Sequence, residues 1–283
     1  DSEELENTVN PAAASYTTVN YRDSYQLQES ARLEEQTIFF EDPARVANQP
    51  EPRKPARYDI DGISYLGNAA YFNGDDSYIE STNAIDSLSV WTISLWIYLS
   101  EHNDLIKQII SIGDGTDYDI WIQILEESND TKIKVGLTDT TPTEYTQTWA
   151  TSLELETWYH IVFIYDGSNL QGYLNNSKDA TDIAASITPR TTASRKLELG
   201  RLGDSGTWIY NFNGFIDDVR IYNKVLSTLE IKRIYENRNI IAVPYYWPDK
   251  DLLAYYPLNN NSYDLSGNGN EGTDTNITYS SNT

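Results

Sequence analysis

Apolar and polar positions alternate through the middle of the chain. The runs Thr92-Ile-Ser-Leu-Trp-Ile-Tyr-Leu99, Lys132-Ile-Lys-Val-Gly-Leu137, Tyr159-His-Ile-Val-Phe-Ile-Tyr165 and Lys196-Leu-Glu-Leu-Gly200 have a period of two. They are rich in β-branched and aromatic residues, the signature of half-buried strands. Turn signals separate them: Asn73-Gly74-Asp75-Asp76, Gly113-Asp-Gly115 and Asp166-Gly167-Ser168. Many strands at short spacing, with almost no helical period between them, predict an all-β sandwich or barrel. One helix is marked. Ser227-Thr-Leu-Glu230 is a capping box, and Leu226 with Ile231 forms a hydrophobic staple around it. This short helix follows the strand-rich region and is predicted to end near Asn237.

The ends read differently. Residues 1–61 are polar and acidic, with a short helix predicted over Glu29–Gln36 and a short strand over Thr37–Phe40. Pro43, Pro50, Pro52 and Pro55 then mark an extended arm or linker. Such an arm lies either across a neighbouring subunit or on its own domain. Residues 62–240 form the sandwich, Pro244 and Pro248 open a linker over 241–251, and Leu252-Leu-Ala-Tyr-Tyr-Pro-Leu258 starts a new strand-like stretch that runs to 283.

Three segments carry a resemblance: Gly67-Asn-Ala-Ala-Tyr-Phe-Asn-Gly-Asp-Asp-Ser-Tyr-Ile-Glu80 with Trp91-Thr-Ile-Ser-Leu-Trp-Ile97, Trp158-Tyr-His-Ile-Val-Phe-Ile-Tyr-Asp-Gly-Ser168 with Gly172-Tyr-Leu-Asn-Asn176, and Gly214-Phe-Ile-Asp-Asp-Val-Arg-Ile-Tyr-Asn-Lys-Val-Leu-Ser227. In order and spacing they are similar to the laminin-G-like family of concanavalin A-like jelly rolls over about 62–237. The resemblance implies a jelly-roll sandwich. The opening motif of such a module resembles Leu252–Leu258 with Ser266-Gly-Asn-Gly-Asn-Glu-Gly272, yet here it follows the module instead of preceding it. Residues 252–283 therefore either begin a second repeat or complete the first sandwich.

Charge narrows the partners. Among 283 residues, 43 are acidic and 20 basic, a net charge of −23. A positive face for nucleic-acid phosphates or anionic membrane surfaces is not expected. There is no Cys, which removes disulfides and thiolate chemistry, and no Met, so the chain reads as a processed or partial product. The two His, His102 and His160, are far apart. His160 is expected to be a packed or rim residue. His102 lies in a polar loop with no serine-nucleophile motif beside it.

Calcium prefers six to eight oxygen ligands. The resemblance implies calcium near the loops of such modules, and the candidate ligands are Asp217, Asp218, Asp264 and Asn268. Asp217 and Asp218 enter a strand as neighbours, so they face opposite sides unless a bulge intervenes. Asp264-Leu-Ser-Gly-Asn-Gly269 imitates the start of an EF-hand loop, but its twelfth position is Thr275. The plain alternative is an Asx-rich turn. Gly267, Gly269 and Gly272 satisfy a dinucleotide fingerprint without the strand and helix it requires, so no organic cofactor is expected.

Jelly rolls hold sugars by stacking them on aromatic rings. The candidates outside the clear alternation are Trp149, Trp208 and Tyr210, while Trp91, Trp96 and Trp158 read as core. The paired-carboxylate strand motif of glycan hydrolases is absent, and Asp204-Ser-Gly-Thr-Trp208 is a lone, incomplete sialidase-type box. The expectation is a non-catalytic, extracellular or virion-surface structural or adhesion protein, such as a phage decoration or fibre component. It would bind copies of itself or other structural proteins through residues 1–61, and surface glycans through the jelly roll. The alternatives are a secreted bacterial glycan-binding adhesin and an accessory module of a glycan-active enzyme.

Overall fold

The computed structural model describes residues 68–85, 89–101, 106–113, 118–127, 130–138, 143–187, 196–204, 207–236 and 250–280, together with two short strands nearer the N-terminus. The chain divides into two units, Asp1–Arg57 and Tyr58–Thr283. In the first, β1 (Thr17–Thr18) pairs antiparallel with β2 (Thr37–Ile38). The predicted helix over Glu29–Gln36 lies outside the described residues.

The second unit is the sandwich. Its strands begin with β3 (Ala69–Asn73), β4 (Tyr78–Ser81), β5 (Trp91–Leu99), β6 (Lys107–Gly113), β7 (Tyr118–Glu127), β8 (Asp130–Thr138) and β9 (Glu144–Thr148). They continue with β10 (Trp158–Tyr165), β11 (Asn169–Leu174), β12 (Ser177–Lys178), β13 (Ile183–Ala184) and β14 (Lys196–Leu199). A hairpin of β15 (Leu202–Asp204) and β16 (Thr207–Ile209) precedes β17 (Asn213–Tyr222), and the helix α1 (Thr228–Glu236) follows. The chain closes with β18 (Leu252–Tyr256), β19 (Gly272–Thr275) and β20 (Thr278–Ser280).

One sheet has the order β12-β11-β10-β5-β17-β3-β20, with β13 beside β11 and β18 beside β17. The other has the order β19-β4-β14-β6-β7-β8-β9. Every pairing is antiparallel. The alternation explains the core. Ile93, Leu95 and Ile97 of β5 and Ile161 and Phe163 of β10 face Ile110 and Ile112 of β6 and Ile120, Ile122 and Ile124 of β7 in one buried cluster. Trp91 is fully buried there, edge-on to Phe163 at 4.7 Å.

The residues between those positions point outward, and α1 covers part of the outer face of the first sheet. Leu226 and Ile231 of the staple join Val162, Ile164, Tyr222, Leu252 and Tyr255 in a second buried cluster. The capping box forms as the sequence predicts. Ser227 N donates to Glu230 Oε2 at 2.8 Å, and Glu230 N donates to Ser227 Oγ at 3.3 Å. Burial raises the Glu230 carboxyl, but the Ser227 N–H and hydroxyl and Lys224 outweigh it and hold it at about 2.

Residues 252–280 serve both sheets of this chain's own sandwich. β18 pairs with β17, β20 with β3, and β19 with β4. Ala254, Tyr256 and Leu258 are fully buried in the main core.

Candidate functional site

The residues singled out in the sequence fall into different environments. Trp149 is 1% exposed. A Cβ on Gly172 would stand 2.4 Å from its ring, so the absent side chain of Gly172 is what makes room for the indole. Trp149 thus offers no open face for a sugar. Tyr210 is 38% exposed, with φ 62, and its carbonyl accepts from Gln108 N. The backbone of Trp208 pairs with Gly203 in the β15–β16 hairpin, and its side chain lies outside the described residues, as does His102.

Asp217 and Asp218 are both buried, because a bulge does intervene. Between Asp217 and Arg220, β17 takes one residue more than β5, and Asp218 adopts φ 51. Asp218 Oδ1 meets Arg220 Nη2 at 2.8 Å, and Asp217 Oδ1 accepts from Asp218 N at 2.9 Å. Burial opposes the charge of the Arg220 guanidinium, and Asp218 beside it outweighs that and holds it ionised. Asp264 lies elsewhere. Its Oδ1 accepts from Tyr255 N and Ser266 N, and its Oδ2 from Ser266 Oγ and Asn270 N, all at 2.8–2.9 Å. Asn268 Nδ2 donates to the carbonyls of Leu252 and Leu253. These are the bonds of an Asx-type turn, and both Asp264 oxygens are used in it. Among the described residues, no three His, Asp or Glu side chains gather as metal ligands.

His160 is fully buried on the outer face of β10, under α1. Its Nε2 lies 2.9 Å from Ser94 Oγ, and its ring is 4.9 Å from Trp96 and 5.8 Å from Tyr235. Ser94 is 0% exposed, so this pair resembles a nucleophile and its base only in composition.

Beyond the end of α1, four aromatic side chains occupy outward positions on four adjacent strands. They are Tyr71 on β3, Phe215 on β17, Tyr98 on β5 and Trp158 on β10. Phe215 stands opposite Tyr71 on one side and Tyr98 on the other, and Tyr98 stands opposite Trp158. All four are half-buried. Phe215 lies 5.0 Å from Tyr71, 5.8 Å from Tyr98 and 6.3 Å from Trp158, and Tyr98 lies 5.6 Å from Trp158. The rings are tilted by 51° to 83°, so they converge into a compact patch and not a flat shelf. A polar group borders it: Tyr71 Oη donates to Asn213 Oδ1 at 3.3 Å. Trp158 reads as core in the sequence. Its position in the alternation shows why it is not: its neighbours Tyr159 and Ile161 belong to the core cluster.

The outer face of the second sheet is closed by its own charges. Arg201 lies over the Tyr78 ring at 3.1 Å, between Glu198 at 2.8 Å and Glu80 at 3.4 Å, and Lys196 also pairs with Glu80. Trp121 is 6% exposed, lying over Gly136 with Lys134 Nζ 5.7 Å from its ring. Tyr78 is half-buried like the patch rings, but Arg201 lies over it, whereas the rings of the patch lie against one another.

Residues 73–232 match the model of a laminin-G family described as the concanavalin A-like lectin/glucanase superfamily. The chain belongs to this superfamily. No curated protein sequence matches it. Among solved structures, the superfamily fold is shared with a heptameric pentraxin of the SAP-like type from Limulus polyphemus, at TM-score 0.53 and 16% identity over 63% of this chain and 86% of the pentraxin. A protein from Bacteroides ovatus named for carbohydrate binding matches at TM-score 0.55 and 18% identity, over 76% of this chain and 60% of its own. A tailspike protein of an Escherichia coli O157:H7 bacteriophage matches at TM-score 0.50 and 12% identity, over 70% of this chain and 31% of its own. At these identities the likeness to the three structures is one of fold alone. Among the described residues, no helix is long and apolar enough to cross a membrane.

Proposed function

We propose that this sandwich is a non-catalytic glycan-binding module and that the patch of Tyr71, Tyr98, Trp158 and Phe215 is where sugar stacks. The observation that carries the reading is the set of four half-exposed rings in register on adjacent strands, bordered by Asn213. An apolar patch with a polar group at its margin suits a ligand with one apolar and one hydroxylated aspect. Membership of a lectin-type superfamily and the fold shared with a carbohydrate-binding protein point the same way. The reading extends to a surface role, on a virus particle or a bacterial cell, with residues 1–61 binding copies of the chain or other structural proteins. The tailspike match is in keeping with a virion setting.

The test is a glycan array followed by calorimetry on the best ligand. Trp158→Ala should weaken binding by about thirtyfold or more, since a central aromatic anchor is worth about 2 kcal/mol or more. Its circular dichroism should match the parent's. Unchanged affinity in Trp158→Ala and Tyr98→Ala would move the site elsewhere. Reducing-sugar release from the bound glycan would overturn the non-catalytic reading.

A further inference from the structure

We propose that residues 250–280 are an exchangeable closing segment, and that the slot they fill accepts the same segment of a second copy of this chain. The slot belongs to residues 68–236. It is edged by β17 and β3 in one sheet and β4 in the other, and the segment enters it by strand pairing on all three. Its apolar plug, Ala254, Tyr256 and Leu258, is buried in the core. A buried polar contact adds selectivity: Arg220, already paired with Asp218, places its guanidinium 4.7 Å from the Tyr255 ring and donates to Tyr255 Oη at 3.3 Å. Further contacts reach both strand-joining turns. Thr82 N donates to the Glu271 carbonyl at 2.8 Å, and Ser77 Oγ to that of Asn276 at 2.7 Å.

The segment carries its own shape. Asp264 binds Tyr255, Ser266 and Asn270, Leu265 N donates to the Tyr255 carbonyl, and Gly272 N to that of Ser262. An element organised by internal bonds costs less to order in a new setting. Only residues 237–249 tie it to the rest of the sandwich chain. The helix α1 runs from the Thr92 end of β5 to Trp96, where Tyr235 stacks, and β18 restarts opposite Tyr222 at the Thr92 end. The return distance is therefore about one helix length, roughly 13 Å. Thirteen linking residues reach up to about 45 Å. The tie is longer than its own slot requires, so a neighbour's slot is within range. In dilute solution the chain's own segment wins, because such a link sets an effective concentration on the order of mM. Copies held side by side, or folding together at that concentration, exchange. Every bond is the same in both arrangements.

The chain has no Cys, which makes the test clean. Ala69 and Ser280 stand opposite each other across β3 and β20. Full-length Ala69→Cys and Ser280→Cys chains, each with a single thiol, are mixed unfolded, refolded together and then oxidised. Refolding on the order of mM should give a mixed disulfide dimer at least tenfold more abundant than refolding on the order of µM. It should also exceed the level reached by mixing chains that are already folded, and a dimer of the parent chain should persist on dilution. Mixed disulfide at equal levels in all three samples, with only monomer of the parent chain, would overturn the proposal. The doubly substituted chain, refolded dilute, should close an internal disulfide. If it does not, β20 is not on β3 and the proposal fails at its base.

Discussion

At the scale of single residues, glycines set the positions of the large rings. Gly172 faces Trp149 inside the core, and Gly136 lies under Trp121 on an outer face. A methyl at either position would stand 2.1–2.4 Å from indole carbons. The neighbours differ, however. Trp149 is enclosed and cannot retreat, so Gly172→Ala should destabilise by about 1–3 kcal/mol, the usual cost of overpacking. Trp121 is nearly as buried, but it lies on an outer face with the flexible Lys134 side chain over its ring, so Gly136→Ala should cost less. Denaturant unfolding of both variants checks the ranking, and equal costs would show that Trp121 is as tightly confined as Trp149. These pairs also show what a sequence yields. Trp121 and Gly136 are symmetric about the β7–β8 turn and could have been paired from the alternation alone. Trp149 and Gly172 meet across strands that are not hairpin neighbours, and nothing local announces them.

At the scale of elements, α1 was fully legible, because a capping box and a staple are local signals. The closing segment was not. Its motif was visible, but motif spacing says nothing about which sheet edge is vacant. Nor did alternation reveal the aromatic patch: it assigns Trp158 and Tyr98 to one face of their strands, and only the length of α1 decides how much of that face is covered. The bulge that brings Asp217 and Asp218 into one buried region likewise has no sequence signal beyond the two residues themselves.

The closing segment carries a chemical handle on its own attachment. Burial raises the phenols of Tyr255, Tyr256 and Tyr279 well above the ordinary range, and Asp218, Asp264 and Asp274 respectively add to it. The unfolded phenol titrates near 10. A raised folded value means the stabilisation is complete below about pH 10 and is lost as pH climbs above it. The segment should therefore leave the slot in alkali. Tyrosinate absorbance for these rings and loss of near-ultraviolet circular dichroism should appear together in one cooperative step. Titration of all tyrosines near pH 10 with the dichroism unchanged would show that the segment is not seated as described.

At the scale of the whole molecule, charge opposes the fold that the strands build. The sandwich pairs many of its cations locally: Lys107 with Glu126, Arg201 with Glu198, and Arg220 with Asp218. These pairs are buried and so are screened little by salt. The remaining acidic excess, −23 over the chain, acts between surface groups and disfavours compaction. Raising the ionic strength from about 0.01 to 0.1 M shortens the screening length from about 30 to about 10 Å. The thermal midpoint should therefore rise with sodium chloride. A fall instead would mean that exposed ion pairs outweigh the net repulsion. The same titration separates screening from binding. Calcium at matched ionic strength should add nothing if it acts only as a counterion. A further rise that saturates with calcium concentration, as mass action requires of a ligand bound by the folded state, would locate a bound ion on this chain.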